Sequence, residues 1–216
     1  MPPVAVKIMG RCHTARIDIR KELNMQKTQM LFQKIVIFGC IAIGALTLVY
    51  SLGFSTDIYS LFYHSDPTSG LFYVPGAEMY FTVQPYNREL FTHSVLFICV
   101  AVTLFMTLTH RRRLYYISNF VTSLGFSSFS GFLGFRLFAK ATEYIDLYKQ
   151  VDFEKMEQVT TMMKMELVNS TLMLDLGRIF AVLLIIWAAL TVFNLVFKMS
   201  WQLRERWAPE QKTEVA

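Results

Sequence analysis

Four long apolar stretches dominate the pattern of the 216-residue chain, and polar or basic segments separate them. The pattern predicts membrane spans over about residues 31–53, 90–109, 114–138 and 172–199. An α-helix rises 1.5 Å per residue, so about 20 apolar residues cross a hydrocarbon core about 30 Å thick. The sequence therefore predicts an all-α integral membrane protein with four transmembrane helices.

The segments outside the spans divide into two tails and two longer connections. Residues 1–30 predict a basic cytoplasmic tail, residues 31–199 the four-helix transmembrane domain, and residues 200–216 a second cytoplasmic tail. Residues 54–89 predict a loop whose apolar parts form a re-entrant or interfacial segment, or cover the mouth of the bundle. Residues 139–170 carry apolar positions at heptad-like spacing, which predicts an amphipathic helix between the third and fourth spans.

The distribution of Lys and Arg predicts the orientation. Fourteen of them fall in the segment up to Lys34, the turn at residues 110–113 and the tail from Lys198, against six in residues 54–89 and 136–164. Because Lys and Arg are enriched on the cytoplasmic side, both termini are predicted inside and the amphipathic helix outside. The membrane is expected to be the cell membrane, with an organellar membrane as the alternative.

Composition supports burial in lipid and argues against nucleic acid as a partner. The chain is 54% hydrophobic and 17% charged, whereas soluble domains carry about a quarter charged residues. The surplus apolar surface is predicted to face a lipid bilayer. The net charge of +5 arises from residues beside the spans rather than from one basic patch, so no nucleic-acid binding is predicted.

Small residues recur at intervals of four along the third span and, more briefly, the first. Small residues at this spacing let two helix backbones approach closely, and serine hydroxyls can bond across the contact. The stripe serves either packing within the bundle or a functional face that lines a substrate path or receives a partner's helix. The residues concerned are Ser123, Ser127, Ser130, Gly131 and Gly134 in the third span, and Cys40 and Gly44 in the first.

Four ionisable residues lie at the predicted outer ends of the spans. Arg136 lies near the end of the third span, and Asp175 and Arg178 open the fourth, three residues apart and able to pair. Ionisable residues within spans are costly and usually paired or functional. The three residues are therefore boundary anchors with local pairing, or an ion or substrate site. His93 starts the second span and is predicted to be an interface residue, with an ion or substrate site as the alternative.

No motif in the sequence predicts catalysis. No two histidines share a helix at spacings of three or four, and no span carries paired carboxylates. The spacing of Cys12, Cys40 and Cys99 matches no metal-binding pattern. The sequence therefore predicts no catalytic residue, no metal and no cofactor.

These observations favour a non-catalytic four-span subunit or scaffold of a larger membrane protein complex. Its partners are expected to be other membrane subunits or further copies of the chain. The alternative is an oligomeric transporter or channel subunit, since four helices enclose little space alone. A membrane enzyme is the third class, and the missing acid–base pattern makes it the least favoured.

Overall fold

The computed structural model describes residues 4–109, 116–163 and 169–207. Within these ranges the chain forms helices and turns and no strand. The α-helices are α1 (Val4–Gly53), α2 (Met79–Thr109), α3 (Tyr116–Tyr148), α4 (Phe153–Met163) and α5 (Leu172–Trp207), and short 3-10 helices cover Tyr59–His64 and Pro67–Phe72. The predicted all-helical fold is confirmed for this part of the chain.

Three described helical segments are long and apolar enough to cross a membrane, which indicates a membrane protein. They are Lys27–Gly53, Met79–Thr107 and Leu172–Ser200, and they contain most or all of the first, second and fourth predicted spans. The helix α3 carries the third predicted span but is not among them. Its serines, its glycines and Arg136 lower its hydropathy.

The four long helices form an antiparallel bundle in which each packs against two neighbours. Both α1 and α3 contact α2 and α5. Between α2 and α3, the ring centroids of Phe97 and Phe126 lie 5.0 Å apart. Between α1 and α5, the indole of Trp187 lies on Gly39 and donates a hydrogen bond of 3.1 Å to the carbonyl of Val36.

The helix α2 begins at Met79, eleven residues before the predicted span, so the predicted loop is wrong over residues 79–89. Pro85, which favours a turn in the sequence, lies in the second turn of α2. Proline there cannot donate to the carbonyl of Phe81, which weakens the turn. Burial of Val83 and Tyr86 in the core stabilises the helix around it.

Residues 54–78 and 149–163 together form a cap over one end of the bundle. The amide of Asp152 donates a hydrogen bond of 3.1 Å to the carbonyl of Pro75 and joins the two segments. At Gly76, with φ at 87°, an added Cβ would lie 2.8 Å from the carbonyl oxygen of Gln150. Buried side chains fill the cap, namely Phe54, Ile58, Leu61, Val74, Val151 and Met156. Of the two alternatives predicted for residues 54–89, the structure shows the second, in which the segment covers the mouth of the bundle.

The single amphipathic helix predicted between the third and fourth spans is divided and shorter. The helix α3 continues to Tyr148, because Ala141 and Tyr144 remain buried against the bundle. After a turn, Asp152 accepts a hydrogen bond of 3.0 Å from the amide of Lys155 and caps the start of α4. The predicted segment at residues 164–168 lies outside the described residues.

Candidate functional site

Each long helix contains a stretch without Asp, Glu, Lys or Arg, and these stretches lie at the same level of the bundle. Hydrogen bonds between neighbouring helices fix the register, such as those from Ser94 to the carbonyl of Thr47 (3.4 Å) and from Ser130 to the carbonyl of Leu184 (2.8 Å). Each stretch is about long enough to cross the hydrocarbon core. The stretches are residues 35–56, 90–109, 116–135 and 179–197.

Charged residues gather at the end of these stretches nearest the cap and form what we call the charged layer. Two contacts across α3 fix its level: Glu89 of α2 meets Arg136, and the Nε of Arg178 lies 3.3 Å from the hydroxyl of Thr142. The charged layer comprises Arg88, Glu89, Arg136, Lys140, Asp175 and Arg178.

The predicted site residues Arg136 and His93 meet at Glu89, which sequence reasoning missed. The Nη2 of Arg136 lies 2.7 Å from both carboxylate oxygens of Glu89, and Nδ1 of His93 lies 3.8 Å from one of them. The guanidinium carbon of Arg136 also lies 5.8 Å from the ring centroid of Phe132. The spacing of four residues between Glu89 and His93 was the signal in the sequence that could have identified Glu89 as their partner. This geometry favours charge pairing between α2 and α3.

The other two predicted ionisable residues form a separate pair. Arg178 lies 3.7 Å from Asp175, and Asp175 accepts a hydrogen bond of 2.9 Å from the hydroxyl of Thr171. This pair lies where α5 contacts α3, whereas Arg136 faces α2. The structure therefore divides the four predicted ionisable residues between two clusters.

The small residues of α3 follow a heptad-like face rather than the strict spacing of four. Ser123, Ser127 and Ser130 are buried, and Ser130 bonds to α5. At Gly134 an added Cβ would lie 2.9 Å from the carbonyl oxygen of Ala181 and 2.8 Å from a side-chain carbon of Ile185. This is a direct contact with the backbone of α5.

Gly131 departs from the predicted stripe. An added Cβ at Gly131 would have no atom within 4 Å, apart from those of its own turn of helix. Successive residues of an α-helix are rotated by about 100°, so Gly131 lies to one side of the face that Ser130 and Gly134 share. Within the described residues Gly131 therefore makes no tight helix contact, and the predicted contact at this position stays a prediction.

The first helix contacts two different neighbours through its small residues. Cys40 is fully buried, and its Sγ lies 3.7 Å from the hydroxyl of Thr191 in α5. Gly44 faces α2, where an added Cβ would lie 3.3 Å from a side-chain carbon of Ile98. Sequence reasoning missed Gly39 and Gly177, which receive the rings of Trp187 and Tyr50. The spacing rule does not detect them because their partners are large aromatic side chains.

Five buried side-chain polar atoms have no hydrogen-bond partner among the described residues. The hydroxyl of Tyr86 and Oδ1 of Asn87 lie near the cap, whereas Oδ1 of Asn119, Oγ of Ser127 and Oδ1 of Asn194 lie within the charge-free stretches. The hydrogen bond from Ser130 to Leu184 sets the level of α3 against α5. Asn119 lies eleven residues from Ser130 and Asn194 lies ten residues from Leu184, both away from the cap, so the two asparagines lie at one level of the bundle. These atoms can accept hydrogen bonds from water or from a polar ligand.

The cap carries an exposed aromatic surface. Its members are Tyr59, Phe62, Tyr63, Leu71 and Phe72, each more than 40% exposed. The rings of Tyr59 and Phe62 stack with centroids 6.0 Å apart, and Phe62 lies 5.4 Å from the ring of Tyr80 in α2. The side chain of His64 holds the two 3-10 helices together through the carbonyl of Phe72, at 3.0 Å.

Among the described residues, no group of three or more His, Cys, Asp or Glu side chains could hold a metal ion. No protein-family model matches the sequence, and no curated protein and no solved structure matches it. The function of the chain is therefore inferred from its own residues.

Proposed function

We propose that all four long helices cross the membrane and that the protein is a non-catalytic subunit or scaffold of a larger membrane protein complex. The four charge-free stretches in register support the crossing, including that of α3. The charged layer marks one membrane boundary, and Lys198 at the far end of the stretch in α5 lies near the other.

The aromatic surface of the cap carries the proposal. Tyr80 precedes Arg88 by eight residues on α2, a rise of about 12 Å. The headgroup layer extends roughly 5–8 Å beyond the hydrocarbon core. The aromatic surface therefore lies beyond the headgroups and faces water unless a partner covers it. Exposed apolar patches mark interaction sites, and aromatic residues are enriched at the centres of protein interfaces.

The test is the mass of the complex solubilised in mild detergent. The parent protein is expected in an assembly larger than its monomer, with other membrane subunits or with further copies of itself. The double variant Phe62→Ser, Tyr63→Ser should lose that mass. Met162→Ser is the matched control, because Met162 is an exposed apolar residue elsewhere on the cap. An unchanged mass of the double variant would show that the aromatic surface binds no partner.

The second candidate is an oligomeric transporter or channel subunit. The buried acceptors of Asn119, Ser127 and Asn194 favour it, since polar groups inside a membrane bundle often line a path. A purely homo-oligomeric particle that conducts ions in liposomes, with conduction reduced by Asn194→Leu, would support this candidate. Conduction that Asn194→Leu leaves unchanged would remove its basis.

A further inference from the structure

A groove of about 570 Å³ lies between the last turn of α1 and the first turns of α2. This volume falls in the range of small-ligand pockets. Arg88 places the groove at the charged layer, where the headgroups of the bilayer are expected. Its lining includes Leu52, Phe81, Gln84, Asn87, Arg88 and Phe91.

Arg88 offers an unpaired positive charge to the groove. At the same level, Arg136, Lys140 and Arg178 each pair with a carboxylate. Among the described residues, Arg88 has no such partner, and the adjacent Glu89 is bound by Arg136. A guanidinium in this state is suited to a phosphate, with which it forms charge-assisted and often bidentate hydrogen bonds.

Two acceptors lie in the same helical turns as Arg88. The Nδ2 of Asn87 donates to the hydroxyl of Ser55 at 3.3 Å, while its Oδ1 is buried without a partner among the described residues. Pro85 has no N–H to donate to the carbonyl of Phe81. Phe81 and Pro85 both line the groove, so a ligand that places an N–H or O–H donor next to its phosphate would satisfy this carbonyl as well as Arg88.

The wall of the groove on the side away from the cap is apolar and leads toward the hydrocarbon core of the membrane. Leu52 and Phe91 are 67% and 42% exposed, and both lie in charge-free stretches. A ligand that extends along this wall carries apolar chains below its phosphate. Free phosphate shares the chemistry at Arg88 but gains nothing from Leu52 and Phe91.

We infer that the groove binds the headgroup of a phospholipid whose phosphate pairs with Arg88 and whose amine or hydroxyl donates to the carbonyl of Phe81. Phosphatidylethanolamine and phosphatidylglycerol have this chemistry. The inference rests on α1 and α2 crossing the membrane and is independent of any partner at the aromatic surface.

Native mass spectrometry of the detergent-purified protein tests the inference, with dioctanoyl phosphatidylethanolamine as the probe. One lipid should bind the parent, and Arg88→Gln should weaken its binding by at least about tenfold, since it removes the charge-assisted hydrogen bonds to the phosphate. Leu52→Asp, at an exposed position, should weaken it by repelling the phosphate. Lys140→Gln, at the same level but outside the groove, should bind as the parent does.

Inorganic phosphate and glycerophosphoethanolamine serve as competitors without chains. Neither should displace the lipid at equal concentration. Displacement by inorganic phosphate would identify a phosphate site and overturn the lipid assignment. Equal binding by the parent and Arg88→Gln would overturn the site itself. Because the readout is binding of a lipid in detergent, loss of the larger assembly would not alter either result.

Discussion

Gly134 and Gly131 are three positions apart on α3, yet only Gly134 lies against the neighbouring helix. The sequence predicted that α3 packs through small residues, and the burial of Ser123, Ser127 and Ser130 agrees with it. It could not distinguish which glycine faces α5, because that choice depends on how α3 is rotated within the bundle. The rotation is fixed by distant contacts, such as the hydrogen bond from Ser130 to Leu184.

Gly134→Leu should destabilise the bundle by about 1–3 kcal/mol, as overpacked cores do, because the new side chain would meet the backbone of α5. Thermal unfolding in detergent measures the effect. Gly131→Leu is the matched control and should stay within about 0.5 kcal/mol of the parent, as open surface positions do. A larger loss for Gly131→Leu than for Gly134→Leu would contradict the rotation of α3 described above.

Tyr73 and Glu78 should make the cap sensitive to acid. The phenol of Tyr73 donates to the carboxylate of Glu78, and this bond lowers the pKa of Glu78 from its ordinary value of 4.5. A lowered folded-state pKa stabilises the protein above pH 4.5, and the effect is lost as the pH falls through the lowered value. Tyr73→Phe should therefore unfold at a lower temperature than the parent at pH 7, with the difference closing below pH 4.5. A difference that is constant with pH would exclude this bond as its source.

At the scale of elements, the apolar stretches located the helices but not their ends. The helices α2 and α3 extend beyond the charge-free stretches toward the cap, where one face is polar and the other carries buried tyrosines such as Tyr86 and Tyr144. The average hydropathy falls in these segments, so a prediction from hydropathy places the ends of the helices too close to the middle of the bundle. The start of α4 was missed for a different reason, since it depends on the local cap formed by Asp152.

The helix α4 should be attached to the rest of the cap chiefly by Met156. Its side chain is fully buried, whereas Met162 of the same helix is 77% exposed. Met156→Ala should cost about 2–5 kcal/mol in the stability of the cap, because it leaves a cavity. Hydrogen exchange of residues 149–163 in detergent should rise in this variant and remain unchanged in Met162→Ala. Equal exchange in the two variants would show that α4 is held by other contacts.

At the scale of the whole molecule, the apolar composition was sufficient to predict a membrane protein but not to predict which residues meet in its sites. Three spans follow from apolar length alone. The ion pair of Glu89 with Arg136, and the groove between Leu52 and Arg88, join residues that are 47 and 36 positions apart. Such pairs depend on the register of antiparallel helices, which the hydropathy pattern does not contain.

The orientation of the bundle decides where the cap is available to a partner. In the sequence, Lys and Arg are concentrated up to Lys34, at residues 111–113 and from Lys198 onward, next to the ends of the charge-free stretches that lie away from the cap, so the cap is predicted outside. In a chain without its native cysteines, single cysteines at Ser69 and Glu157 should react with an impermeant maleimide in intact cells, and one at Gln211 should not. The reverse pattern would place the cap and its aromatic surface in the cytoplasm. The partner would then have to be a cytoplasmic protein or the cytoplasmic part of another membrane subunit.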